Sequence, residues 1–333
     1  MSHSTDSAMV AIRSAVRAEL SACSAGEKII VACSGGSDSL ALSYAVAKEA
    51  EILVLSVIGV TIDHQLQNGS RRQAEKVVAQ LHALGIIQAE IRTVDVDVTD
   101  GMEASARRAR YEVLEAARKE HGATLVLLGH TRDDQAEGVL LGLARGSGTR
   151  SLSGMAVRNG NYLRPLLAIT REETVAACHE KGLVAWEDPH NFDPQYLRVR
   201  VRTQALPALA ESIGPGVSAA LARSAQLLRD DADALDSWAL REFGQIDWRL
   251  MEVDALAKLP RAVRTRLLRL AIYAAGAPGG TISADHVSAI EALVTSWHGQ
   301  GEVSLPGGVK VSRKSGRLSL LPPSHESSEA PWI

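Results

Sequence analysis

No apolar run in this chain approaches the ~20 residues that a membrane-spanning helix needs. Met1 to Asp6 also lack the charged-then-apolar layout of a signal peptide. A cytoplasmic protein with no membrane partner is therefore expected. Cysteine is scarce: Cys23, Cys33 and Cys178 are odd in number, widely spaced and form no CxxC pair. That speaks against a disulfide framework or a zinc site, and each is expected to behave as a small buried hydrophobe. Net positive charge is missing too, the formal charge being −3. Binding of nucleic acid would then depend on where the charges sit. Neither GxxxxGK(S/T) nor GxGxxG occurs, which disfavours a P-loop kinase or a nicotinamide enzyme. There is no internal repeat.

What is present is a chain of 333 residues, 46% hydrophobic and 23% charged. That is ordinary for a globular protein and long enough for two domains. Met9, Ile12, Val16 and Leu20 recur at helical spacing. A β-branched run over 28–33 (KIIVAC) then leads into a helical segment ending at Ala50. Further strands are expected over 52–62, 86–94, 124–129 and 162–167, alternating with helices over 70–84, 101–121, 133–144 and 171–181. Short continuous apolar strands alternating with helices predict a doubly wound parallel α/β sheet of about five strands. Beyond Asp193 the strands stop. The chain reads as helical from 195 to 243, broken at Gly214-Pro215-Gly216, with 217–243 as a connecting helix. After Ile246, helices over 260–275 and 284–298 and short strands over 302–321 suggest a smaller α+β unit. The expected organisation is a catalytic domain over 1–214, a connector over 215–245, an α+β domain over 246–322 and a disordered polar tail over 323–333.

The strongest local signal is SGGSDS, Ser34-Gly35-Gly36-Ser37-Asp38-Ser39, where a buried strand hands over to a helix. The free N–H groups and positive dipole end of that helix would point at whatever sits above the sheet. The glycines permit close approach, the serines add donors, and Asp38 makes sense as a Mg²⁺ ligand that brings a pyrophosphate with it. Read as a helix beginning straight after the TLVLLG strand, His130, Asp134 and Glu137 fall at i, i+4 and i+7 on one face. Two carboxylates there can hold a cationic substrate, help deprotonate an amine, or simply complement a helix dipole. Arg107 and Arg110 share a face with Glu103 and can either bridge a phosphate or pair on the surface with Glu103 and Glu112. Arg198, Arg200 and Arg202 alternate with Leu197, Val199 and Val201, giving one basic face as a strand or a broad basic patch as a helix. Two acid-free clusters, 258–269 with Arg261 and Arg264 and 310–317 with Arg313 and Lys314, are either solvated faces or RNA contacts.

SGGSDS resembles the pyrophosphate loop of the N-type ATP pyrophosphatases, which transfer AMP to carbonyl oxygens. Four further stretches narrow the resemblance: Val60-Thr61-Ile62-Asp63-His64-Gln65-Leu66; Glu103-Ala104-Ser105-Ala106-Arg107-Arg108-Ala109-Arg110-Tyr111; Gly129-His130-Thr131-Arg132-Asp133-Asp134-Gln135-Ala136-Glu137, running on to Arg145-Gly146-Ser147-Gly148; and Trp186-Glu187-Asp188-Pro189-His190-Asn191-Phe192-Asp193, continuing to Arg202. Together they resemble the tRNA(Ile)-lysidine synthetase family over roughly residues 28 to 202. The chain departs from the family's pattern at Gly138, where a threonine is common, and at Val199, where an asparagine is often found. Both changes leave the charged residues in place.

The resemblance implies an adenine nucleotide α-hydrolase-like fold and a ligase that uses ATP and Mg²⁺. Its partners would be a tRNA(Ile) bearing a CAU anticodon and L-lysine, with a homodimer left open. Asp38, Arg107, Arg110, His130, Asp134 and Glu137 would be catalytic, with Asp38 also on the metal. Ser34 to Ser39 would cradle the pyrophosphate. Arg198, Arg200, Arg202, Arg261, Arg264, Arg313 and Lys314 would face RNA, and the C-terminal unit would grip the tRNA. Two rivals share the loop: a tRNA thiolation enzyme, which usually needs paired cysteines, and a non-catalytic nucleotide-binding protein.

Overall fold

A computed structural model describes residues 7–65, 69–94, 102–146 and 148–322. Leu66, Ser147, the side chains of Glu103 and His190, and the tail expected to be disordered lie outside the described residues. The chain divides into two compact units, one ending at Leu228 and the other beginning at Arg229.

The first unit contains α1 (Ser7–Leu20), β1 (Lys28–Ala32), α2 (Ser37–Leu53), β2 (Ser56–Asp63), α3 (Ser70–Ala83), β3 (Gln88–Thr93), α4 (Met102–His121), β4 (Leu125–Leu127) and α5 (Arg132–Ala144). After these come a short turn of helix, α6 (Thr149–Leu152), then β5 (Arg158–Asn159), β6 (Tyr162–Leu163) and α7 (Arg171–Glu180). The sheet has six strands in the order β3-β2-β1-β4-β6-β5, one more than expected. All pairings are parallel except β5 with β6, which are joined by a two-residue turn at Gly160-Asn161. β1 shows why its sequence is an unbroken apolar run. Ile29 and Val31 enter a core built with α1, α2, α3 and α7, while Ile30 enters the opposite one, built around Leu114 and Ala117 of α4. Successive strand residues point to opposite faces, and here both faces are covered.

After β6 and α7 the chain is helical: α8 (Leu197–Arg200), a π-helical turn (Val201–Ala205) and α9 (Leu206–Ile213) run on without interruption. The basic alternation over 197–202 is therefore helical, not a strand. The long α10 (Val217–Phe243) follows, and the division between the units falls within it.

The second unit contains β7 (Leu250–Glu252), α11 (Val253–Lys258), α12 (Arg261–Ala274), α13 (Ala284–Thr295), β8 (Val303–Ser304), β9 (Lys310–Lys314) and β10 (Arg317–Leu321). Its sheet, β7-β10-β9-β8, is antiparallel throughout. Alternate residues Val311, Leu318 and Leu320 pack onto Leu267, Leu268 and Ile290 from α12 and α13. Among the described residues no single helix is long and apolar enough to cross a membrane.

Candidate active site

β1 ends at Ala32, and after four intervening residues the chain is helical from Ser37. The turn needs Gly35, which sits at φ 87°, in the left-handed region that favours glycine. A Cβ there would also lie 2.7 Å from Val77 Cγ2. The Gly35 carbonyl accepts the Trp186 N–H at 2.8 Å, tying the loop to the 186–193 stretch. Ser39 buckles the loop from inside: its buried hydroxyl accepts the Ser34 N–H at 3.1 Å and donates to the Gly36 carbonyl at 3.0 Å. Gly36 is the N-cap of α2 and has no side chain to cover the first-turn N–H groups. Such uncapped groups, with the dipole of α2, suit an anion. Gly129, after β4, passes so close that a Cβ would sit 3.1 Å from the Asp38 backbone.

Asp38 lies in the first turn of α2, and both of its oxygens are held by α7. Thr174 Oγ1 donates to Oδ1, and Arg171 Nε reaches Oδ2 at 3.4 Å. Burial holds the Asp38 carboxyl above its ordinary pKa, and Arg171 and Thr174 only partly reverse this. Arg171 also meets Asp134 at 3.2 Å and Glu137 at 3.5 Å, while its own N–H donates to Asp133 Oδ2 at 2.8 Å. Burial disfavours the Arg171 charge, but Asp134, Asp38 and Glu137 outweigh it and raise its pKa. Asp134 is buried as well, yet Arg171 and the Thr131 N–H hold its carboxyl below the ordinary value. Glu137 is fully buried, and Arg202 Nε donates to it at 2.7 Å. Arg202 reaches it from the π-helical turn, an irregularity frequent at functional sites.

The sequence pattern overlooked Arg171. The signal it carried is Thr170-x-x-Glu173, a capping box that fixes Arg171 as the first residue of α7. His130 needs a correction: α5 begins at Arg132 with Thr131 as N-cap, so His130 precedes the helix and does not share a helical face with Asp134 and Glu137. Asp134 is the third helical residue and accepts the Thr131 N–H at 2.8 Å.

A basic edge lies beside the carboxylates. Arg107 stacks 5.2 Å over the Tyr111 ring, and Arg164, buried after β6, donates to the Tyr111 hydroxyl at 3.1 Å. Arg107 and Arg198 act electrostatically on Arg110, which is exposed. His64 follows β2, and His130 follows β4. Burial pushes the pKa of both down to about 4, and nearby arginines add to the effect. The Nδ1 atoms of His64 and His130 and Nε of Arg164 are buried without a partner. They sit at the carboxyl ends of β2, β4 and β6, which are brought together in one sheet, the position where open α/β sheets bind ligands.

Of the other residues expected to face RNA, Arg200 is exposed and donates to the Pro194 carbonyl at 2.8 Å. Arg264 is a correction. It is buried, bonded to Glu291 at 2.8 Å and to the Leu259 carbonyl at 2.8 Å, so its guanidinium is spent inside the second unit. Arg313 donates to the Leu293 carbonyl at 2.7 Å and stacks 5.4 Å over Trp297. Arg261 and Lys314 are exposed, Arg261 meeting Glu291 at 2.9 Å.

A profile of the PP-loop domain family matches residues 10–209, and one of the TilS substrate binding domain matches 251–319. The chain is 52% identical to a tRNA(Ile)-lysidine synthase of Thermobifida fusca, over 92% of this chain and 95% of that one. The chain belongs to the tRNA(Ile)-lysidine synthase family. A second member, from Streptomyces coelicolor, is 53% identical over 88% of this chain and 84% of its own length. Among solved structures, the U34-tRNA thiolase NcsA from Methanococcus maripaludis, with its 4Fe-4S cluster, superposes with a TM-score of 0.57. That match, at 17% identity, covers 68% of this chain and 80% of the thiolase, and it shows a shared fold. Membership makes the chain a tRNA-modifying ligase built on an ATP-using PP-loop domain.

Proposed function

We propose that this protein makes lysidine in the cytosol. The O2 of the wobble cytidine of a CAU-anticodon tRNA(Ile) attacks the α-phosphate of ATP, and pyrophosphate leaves. The ε-amine of free L-lysine then adds at C2, the C2–O bond breaks, and AMP departs as the amine gives up its protons. The observation that carries this reading is the juxtaposition of an anion-binding loop with three carboxylates, Asp38, Asp134 and Glu137, all bridged by one arginine. One side of the site suits a polyphosphate and the other suits an ammonium group.

The loop fits the nucleotide. Its glycine cradle would be closed by a Cβ at Gly35, and the N-terminus of α2 carries no side-chain cap. Among the described residues, no three His, Cys, Asp or Glu side chains are placed to hold a metal on their own. Mg²⁺ typically binds through one or two carboxylates plus substrate phosphates, which suits Asp38 as its protein ligand. The metal would neutralise charge on the phosphates. The first-turn N–H groups of α2 would orient the pyrophosphate, and Arg107 and Arg110 would draw the α-phosphate toward the base. The neutral imidazoles of His64 and His130 can accept a proton-bearing edge of the cytosine or its ribose. Asp134 and Glu137 would receive an ammonium group of the lysine.

Sulfur transfer is disfavoured by the thiols. Burial pushes Cys33 up and raises Cys178 to about 11, so neither is a ready thiolate. The test is incubation with ATP, Mg²⁺, labelled lysine and a CAU-anticodon tRNA. Label is expected in the RNA, with AMP and pyrophosphate as the other products. Pyrophosphate exchange without label transfer would overturn the amine step, and the absence of both would overturn the reading altogether.

A further inference from the structure

Arg171 stands out by how it is bonded. Its contacts to Asp38, Asp134 and Glu137 measure 3.4, 3.2 and 3.5 Å, all longer than the roughly 2.7–2.9 Å of a well-made charge-assisted bond. Each carboxylate also has a separate anchor: Thr174 on Asp38, the Thr131 N–H at 2.8 Å on Asp134, and Arg202 at 2.7 Å on Glu137. Arg171 is thus not needed to hold any one of them in place. What it does is span all three. Among the described residues, the guanidiniums of Arg171 and Arg202 meet the three carboxylates, and Arg198 adds a charge that acts on Asp134. Arg171 is a quarter exposed, at 26%, and the side chain it meets through Nε belongs to the pyrophosphate loop's own helix. A polyphosphate arriving at α2 would offer the guanidinium a stronger partner within reach, because phosphate accepts the planar fork bidentately.

We propose that Arg171 is a displaceable internal cation that makes amine binding wait for the nucleotide. With the loop empty it masks Asp134 and Glu137. With nucleotide bound it goes over to the phosphates and leaves those carboxylates to an ammonium group. This rests on the reading that the second substrate is an amine. By linkage, the nucleotide then raises the affinity for the amine, and the amine raises the affinity for the nucleotide by the same factor.

The test is calorimetric titration of L-lysine into the full-length protein, with and without Mg²⁺ and a non-hydrolysable ATP analogue. Wild type, Arg171→Met and Arg171→Lys are compared, and thermal melts confirm folding. In wild type the analogue should tighten lysine binding by about tenfold or more, a typical coupling factor. In Arg171→Met, lysine should bind without the analogue about as well as with it. Arg171→Lys keeps the charge but cannot fork across three carboxylates, so it should retain only part of the coupling. A merely structural role would lower the melting temperature and weaken both titrations by one factor, leaving their ratio unchanged. That result, or nucleotide-independent binding by wild type, overturns the inference alone. Wild type that binds lysine in neither condition overturns the amine reading beneath it.

Discussion

Arginines meet buried carboxylates in both units, and the two meetings are built in opposite ways. In the second unit a single carboxylate, Glu291, takes two guanidiniums at 2.8 and 2.9 Å, and Nη1 of Arg264 donates to the Leu259 carbonyl. Burial disfavours the Glu291 charge, but Arg264 and Arg261 outweigh it and keep its pKa low. That cluster is closed: the guanidinium fork is nearly saturated, and α12 is pinned to α13. In the first unit three carboxylates share two guanidiniums, the bridging bonds are long, and Asp38 is left with a raised pKa. The same residue types thus make a staple in one place and a loosely bonded socket in the other. What separates them is the number of carboxylates each bridging guanidinium spans, the length of the bonds, and the exposure of the guanidinium, 26% for Arg171 against 8% for Arg264.

The contrast is sharpest when one partner is removed from each. Arg264→Met leaves a buried carboxylate with only the exposed Arg261. Breaking a buried pair in this way should cost about 3–5 kcal/mol, read as a lowered unfolding midpoint of the second unit. Assayed well below that midpoint, its affinity for tRNA should be unchanged. Lys314→Ala, on the exposed end of β9, should do the reverse, keeping stability while flattening the salt dependence by up to ~0.7–0.9 in slope for a lost phosphate contact. A folded Arg264→Met protein that loses tRNA affinity would return that residue to the RNA surface.

Asp38→Asn tests the socket. It keeps the shape and the Thr174 hydrogen bond but removes a charge that burial disfavours. Adenylylation should fall about 100-fold or more, as for loss of a preorganised charge-stabilising group. Melting temperature should hold or rise. Single-turnover measurement of pyrophosphate release checks the first, and a thermal melt the second. Near-normal turnover at saturating Mg²⁺ would show that Asp38 belongs to the fold.

Much of this was legible in the residues themselves. The SGGSDS loop and the alternating apolar strands follow from local pattern, and the structure has them in chain order. What escaped depends on contacts between residues far apart in sequence. Arg171 reads as an ordinary charge at a helix start because its three partners lie 34 to 133 residues away. Arg264 sits in a stretch free of acidic residues, and its counter-ion, Glu291, comes 27 residues later. The sixth strand, β5, is only two residues long, too short for any periodicity to register. The place of His130 has a local signal: Thr131-x-x-Asp134 is a capping signature, and it starts the helix after the histidine.

The smallest expected effect also separates the two regions. Among the described residues, the imidazoles with an unpartnered buried Nδ1, His64 and His130, belong to the first unit. Their pKa values fall from 6.5 to about 4 on folding, burial being the main cause. Between those limits the unfolded chain binds more protons than the folded one, so stability is fully present above about pH 6.5 and declines as pH falls toward 4. Asp38 has the opposite sign, since its raised pKa favours protonation in the folded state and partly offsets the loss on the acid side. Melts at pH 7 and pH 5, followed by a probe in the first unit, should show a lower midpoint at pH 5. In His130→Asn, made in an Asp38→Asn background to remove the opposing titration, that drop should shrink by an amount on the order of a few degrees. The Asp134 carboxyl, held below its ordinary value, titrates under this window and leaves it undisturbed. An undiminished drop in the double variant would mean that the His130 imidazole is already solvated, as it would be if the basic edge opened to water whenever no base occupies it.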